Sequence, residues 1–197
     1  MPYTQEHKQE TRERIVECAR QLFNRKGFNG VSIDEIMSEA GLTRGGFYNH
    51  FGAKEDLFVE AIIAYTKCNP ADRWEDVELD FSNAGAKLAQ QMINAYLSQR
   101  HLDDLDSHCP MIALPSDVAR SSPKVKAAYA SLIEAMGGIF EGAATANQQS
   151  NPRKHSLGLV ALCVGGMVLA RTLEDQDFAN EVREAARDMA LECAAPQ

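Results

Sequence analysis

The chain has 197 residues, 45% hydrophobic and 24% charged, with a formal net charge of −8. That is an ordinary globular balance with enough chain for a sizeable core in one larger or two small domains. It excludes a generic basic coat for nucleic acid, so any DNA contact must come from a local patch. Cys18, Cys68, Cys109, Cys163 and Cys193 are odd in number and form no C-x-x-C, and no secretory pattern precedes the first charged helix. A reducing cytoplasm is expected. The longest apolar run, about Leu157–Ala170, is too short to span a bilayer and is closed by Arg171. It reads as a buried helix, and no membrane partner is expected.

In chain order, a first helix is expected over about Gln5–Lys26, with Ile15, Cys18, Ala19, Leu22 and Phe23 on one stripe and Gly27 past its end. Ser32, with Glu35 three residues on, opens a second helix as a capping box, and Gly41 breaks it. Thr43 is the N-cap of a third helix over Thr43–Phe51. Leu42 and Phe47 take the staple positions, and Gly52 ends the unit. A fourth runs from Lys54 to Cys68, where Asn69-Pro70 stops it. Ser82–Gln99 is a fifth, and a short one after Pro110 is interrupted by Pro115. Ser122-Pro123 opens a long helix, Asn151-Pro152 opens the apolar one to about Leu173, and Asp177 opens the last. No alternating strand pattern is present. The fold expected is all-α, divided into 1–52 and 53–197.

Residues 31–54 carry the most information. Two short helices joined by a glycine turn form a helix-turn-helix pattern. Residues 1–60 hold 8 Lys/Arg against 10 Asp/Glu, yet 41–54 hold two fixed positive charges, one histidine and no acid. In a helix-turn-helix the second helix enters the major groove with its N-terminal residues at the base edges. Arg44 then sits where its fork of donors can meet guanine O6 and N7. Tyr48, one turn on, can reach a phosphate or a thymine methyl. Thr43, His50 and Lys54 lie where phosphates pass, and the helix start at Ser32 offers N–H groups to another. Gly45 and Gly46 cost about 1 kcal/mol each in a helix relative to alanine. Either the backbone must approach DNA closely, or the glycines relieve a tight helix crossing. Phe47 and Phe51 read as core.

The stretch about 10–58 resembles the DNA-binding domain of the TetR family of bacterial transcriptional regulators. The resemblance is carried by Ala40, Gly41, Thr43, Arg44, Gly45, Tyr48, His50, Phe51, Lys54 and Leu57. It implies about nine helices, a homodimer on a palindromic operator, a ligand cavity in the C-terminal domain, and repression relieved by ligand. It also implies that Tyr48, His50 and Lys54 meet phosphate, that Arg44 and Gly46 lie near bases, and that the last two helices pair with their mates.

Gly158, Ala161, Gly165 and Gly166 suit such a seam by letting backbones approach, although the same run also suits a central core helix. Tyr65, Trp74, Met92, Tyr96, Cys109, Met111, Met136, Phe140 and Met167 are candidate lining for an effector pocket, with core packing as the alternative for each. Cys109, expected at an N-cap beside His108, is a candidate redox or electrophile sensor, the alternative being an inert thiol. The segment from His101 to Cys109 matches no standard zinc spacing, so no metal is expected, and no cofactor fingerprint occurs. Without a GxSxG, HExxH or P-loop, an enzyme is not expected. The expected function is a ligand-responsive repressor binding duplex DNA as a homodimer and released by an unknown small molecule. The alternatives are thiol sensing through Cys109 and a ligand-free DNA-binding protein.

Overall fold

The computed structural model describes residues 5–67, 74 and 76–195. Among these it contains helices and no strand. In order they are α1 (Gln5–Lys26), α2 (Ile33–Glu39), α3 (Arg44–Phe47), α4 (Lys54–Ala64) with a 3-10 turn at Tyr65–Lys67, α5 (Gly85–Tyr96), α6 (Gln99–Asp103), α7 (Pro110–Ala113), α8 (Pro115–Ala119), α9 (Pro123–Ala146), α10 (Pro152–Thr172) and α11 (Gln176–Ala194). Eleven rather than nine helices result because 99–119 breaks into three short ones. The end predicted for the fourth helix, Cys68, lies outside the described residues. The last helix begins at Gln176, because the Asp175 side chain, not Asp177, accepts from the N–H groups of its first turn.

The chain divides into two compact units. One takes in Met1–Cys68 and Leu105–Tyr129, the other Asn69–Asp104 and Ala130–Gln197. A division at residue 52 is therefore not the one that compactness draws: α4 and an inserted segment, 105–129, fold with the helix-turn-helix.

In the first unit the buried stripe of α1 (Ile15, Ala19, Leu22, Phe23) packs on α4 and α2. Phe23 meets Phe58 edge-on at 5.0 Å, and Phe28 meets Phe58 at 4.6 Å. Gly27 ends α1 at φ +72°, and a Cβ there would lie 2.8 Å from Asp117 Oδ2. The inserted segment is tied to the end of α1 by polar contacts. Asn24 Nδ2 donates to the Asp106 and His108 carbonyls at 3.1 and 2.9 Å, and Arg20 Nη1 donates to Asp106 O at 3.1 Å. Arg25 pairs with the Asp106 carboxylate, and the Phe28 N–H donates to Asp117 Oδ2 at 3.3 Å. Asn24 and Arg20 are themselves buried, so these bonds satisfy groups that water does not reach.

In the second unit α10 packs along α11, and α11 on α5. The crossing needs Gly166: a Cβ there would stand 2.4 Å from the Ala186 Cβ and 3.3 Å from Leu97 Cδ2. Buried Arg183 donates from Nη1 to the Leu97 carbonyl at 2.7 Å, placing a cation on the C-terminal end of the α5 dipole. His101 is fully buried. Its ring lies 4.9 Å from Trp74 and edge-on to Tyr96, and its Nδ1–H donates to the Tyr96 carbonyl at 2.7 Å. Burial pushes its pKa down to about 4, so the ring is neutral. Over its 21 residues α10 is long and apolar enough by composition to cross a membrane, more than the shorter apolar run suggested. The same composition suits a core helix, and Leu159, Val160, Cys163, Gly166 and Met167 are buried in the unit.

Candidate nucleic-acid interface

The candidate interface is a short tip on a rigid pedestal. Phe47 is fully buried and Phe51 nearly so, with ring centroids 5.5 Å apart. The Arg12 guanidinium covers Phe51 at 4.1 Å, pairs with Glu60 and donates to the His50 carbonyl. Asp56 accepts from the Ala53 N–H at 3.1 Å and closes the start of α4. These contacts fix the strand of chain that leaves the tip.

At the tip, Tyr48 is 59% exposed although its ring still touches Phe47 edge-on at 5.2 Å. Arg44 is exposed at the first turn of α3, as its position in the sequence predicts. Its Nη1 lies 2.5 Å from Asp34 Oδ2 of α2. Gly45 is exposed, and a Cβ built on it would meet nothing within 4 Å. Gly46 is half-buried, and its Cβ would touch Met37 Cε at 3.5 Å, an ordinary contact. Neither glycine relieves a tight crossing inside this chain.

The helix carrying these residues is shorter than Thr43–Phe51. After Phe47 the chain loosens: the Asn49 and His50 N–H groups bond to carbonyls three residues back. Two adjacent glycines leave little propensity to hold a longer α-helix. Thr43 takes the N-cap conformation, and its hydroxyl makes no capping bond, whereas the Ser32 hydroxyl accepts from the Glu35 N–H at 3.1 Å.

Two candidates stand differently from their neighbours. Lys54 is half-buried, and its ammonium donates to the Phe28 and Val31 carbonyls, each at 2.7 Å, beneath the Phe28 ring at 4.2 Å. It braces the α1–α2 loop, with one of three N–H donors left over, and desolvation lowers its pKa. His50 is half-buried, and its pKa is lowered by burial and by the cations of Lys8 and Arg12. It offers a hydrogen bond near neutral pH rather than a charge.

The sensor candidates are dispersed. Trp74, Tyr96, Met136, Phe140 and Met167 are buried in the second unit and Met92 is half-buried there. Met111 and Cys109 are buried in the first, and Tyr65 is half-buried in the 3-10 turn. A cavity of about 400 Å³ in the second unit is lined instead by Gln149, Lys154, His155, Leu162 and Cys193, among others. Cys109 does sit at the N-cap of α7 beside His108, but it is fully buried, which opposes attack by an electrophile from solvent. His101 joins the aromatic cluster of Trp74 and Tyr96 without a local signal in the sequence. A lone histidine after two polar residues carries no sign that Trp74 will cover it.

An all-helical chain that holds out one short, glycine-bearing helix beside a capped partner helix is a helix-turn-helix protein. Residues 15–61 match the family model described as bacterial regulatory proteins, tetR family. The chain is 46% identical over 57 residues to the HTH-type transcriptional regulator AcrR of Shigella flexneri, covering 29% of this chain and 26% of AcrR. Over 170 residues it is 23% identical to the uncharacterized HTH-type transcriptional regulator YxaF of Bacillus subtilis, covering 85% and 88%. The fold matches the crystal structure of reduced E. coli NemR with a TM-score of 0.75 at 19% identity, over 95% of this chain and 98% of that one. The helix-turn-helix segment, residues 15–61, is therefore of the tetR family type, and the rest of the chain shares that family's fold. The match spans only about a quarter of the length of AcrR.

Proposed function

We propose that this protein represses transcription by binding a palindromic DNA operator as a homodimer and leaves it when a small molecule binds the C-terminal body. The observation that carries the DNA reading is Gly45. It is exposed, has open space where a side chain would be, and sits between Arg44 and the pedestal. A glycine that packs against nothing in its own chain is accounted for by close approach of a second surface. Arg44 and Gly46 are assigned to the base edges, and Tyr48, Thr43, His50 and the α2 start at Ser32 to the flanking backbone. Lys54 acts through the loop it braces, with its remaining donor toward a phosphate.

Pairing of two copies is supported by the outward faces of α10 and α11. Leu157, Gly158, Ala161 and Leu169 are exposed along one side of α10, and Phe178, Ala185 and Met189 along α11. A Cβ on Gly158 or Gly165 would meet nothing within the chain. Two-fold pairing then requires recognition helices about 34–36 Å apart. The effector is assigned to the second unit, whose interior holds the buried Trp74, Tyr96, Met136, Phe140 and Met167. Coupling of about 1–3 kcal/mol would weaken operator binding about 5–150-fold. The setting is the cytoplasm.

Selection of bound duplexes from a random pool tests the reading. The purified protein should enrich a two-fold symmetric sequence. Arg44→Ala should weaken that sequence by about 5–150-fold and relax one base position per half-site. Equal losses on the selected and a random duplex would remove Arg44 from base reading, and a lone subunit in sedimentation would remove the dimer.

A further inference from the structure

The basic side chains of the first unit are mostly engaged within it. Arg12 is held by Glu60, Arg25 by Asp106, Lys26 by Glu35, and Lys124 by Asp56 at 2.6 Å. Lys54 is held by two carbonyls. A phosphate backbone draws its sequence-independent attraction from cations of this kind, and here the pull is muted residue by residue. The pair that matters most lies on the proposed reading face. Asp34, in the first turn of α2, holds the Arg44 guanidinium at 2.5 Å while both side chains stay open to water, at 56% and 61% exposure.

An exposed pair of this kind adds little to folding. An acid also costs affinity wherever a phosphate passes. Asp34 offers the fold only the small stabilisation of an acid in the first turn of α2, and it carries a cost to indiscriminate binding, which is the combination that specificity requires. We propose that Asp34 is a specificity-determining residue: it holds the Arg44 fork, so that the fork is released, or shared, only where a base pair offers a better partner. Guanine O6 and N7 offer the fork two acceptors, whereas Asp34 meets it through one contact, Nη1 to Oδ2. A single phosphate in random sequence brings the repulsion of Asp34 with it. This inference rests on the DNA reading above and assigns the residue that sets its selectivity.

The test uses the full-length protein, a duplex that it has itself selected from a random pool, and a random duplex of equal length. Binding is read by fluorescence anisotropy at several salt concentrations. Asp34→Ala should tighten the random duplex by about 3- to 10-fold and change the selected one less than about twofold. The log–log salt slope on random DNA should steepen by about one per site occupied. Asp34→Asn should behave like Asp34→Ala, and Asp34→Glu should restore most of the discrimination. Unchanged binding to both duplexes, or an equal change on both, overturns the proposal while leaving DNA binding intact. A wild-type protein that enriches no duplex overturns the DNA reading itself and this inference with it. All three surface variants should keep a melting temperature within a few degrees of wild type, since the Asp34 side chain is exposed.

Discussion

Gly45 and Gly166 are the same residue in two helices, with opposite surroundings. At Gly166 the Ala186 methyl carbon would be 2.4 Å from an added Cβ; at Gly45 nothing would be within 4 Å. The contrast extends to the units that hold them. The second unit is closed by helices brought to small-residue contact around apolar side chains and a neutral histidine. The first is joined across distant parts of the chain by charges and carbonyls. An interior explains its own glycine; a glycine that its own chain does not explain directs attention outside the molecule.

The largest expected effect separates the two modes of closure by acid. His101 has a folded pKa of about 4 against an ordinary value of 6.5. Above 6.5 the ring is neutral in both states, and its full contribution is present. As pH falls from 6.5 the unfolded chain takes up the proton first, and stability is lost until the folded ring protonates near 4. That loss is about 3 kcal/mol. His50 shifts in the same direction. Asp56 and Glu35 are held low chiefly by hydrogen bonds from Lys124 and Lys26; Asp56 keeps its contribution through this window, and Glu35 keeps it through all but the last half-unit. They lose it only below their ordinary values of 3.8 and 4.5. Urea titrations at pH 7, 6, 5 and 4 should show the decline, and His101→Phe should flatten it. An equally steep decline in that variant would mean that another group governs acid sensitivity.

Next in size is Gly166→Ala, which should cost about 1–3 kcal/mol through overpacking against Ala186, read as a lower urea midpoint. If the midpoint holds, α10 and α11 can separate at little cost, and the contrast with Gly45 weakens. The smallest effect on folding has the opposite sign. Gly45→Ala should raise stability by up to about 1 kcal/mol, since alanine favours helix and has room, while duplex affinity falls. A variant that gains stability and binds its selected duplex as tightly as before would leave the exposed glycine without a purpose in DNA binding.

Much of the helical order was legible because it is local. The start signals at Ser32, Asn151-Pro152 and Pro123 mark real helix starts, and Gly27 and Gly41 take the positive φ that their positions required. The proposed reading tip is a matter of residue types in order, and these the sequence displays. What escaped is non-local. Asn24 and Asp106 are 82 residues apart, and nothing in either stretch announces that one will satisfy the other. Asp34 lies outside the acid-free stretch 41–54, ten residues before Arg44, and nothing local in the sequence shows that α2 will bring its first turn beside that arginine. Gly158, Gly165 and Gly166 looked alike in the sequence. Only the packing shows that Gly166 belongs to the α10–α11 crossing and that the other two face outward.

The insertion of 105–129 into the first unit also limits how the molecule can be dissected. A fragment ending after α4 would carry every residue of the proposed reading tip, yet it would strip Arg20 and Asn24 of their acceptor carbonyls and Phe28 of the Asp117 carboxylate. Excision at the obvious place would leave those donors stranded on a newly bared flank. The smallest autonomous reader is therefore not a prefix of the chain: it must include the returning excursion, grafted back by a linker.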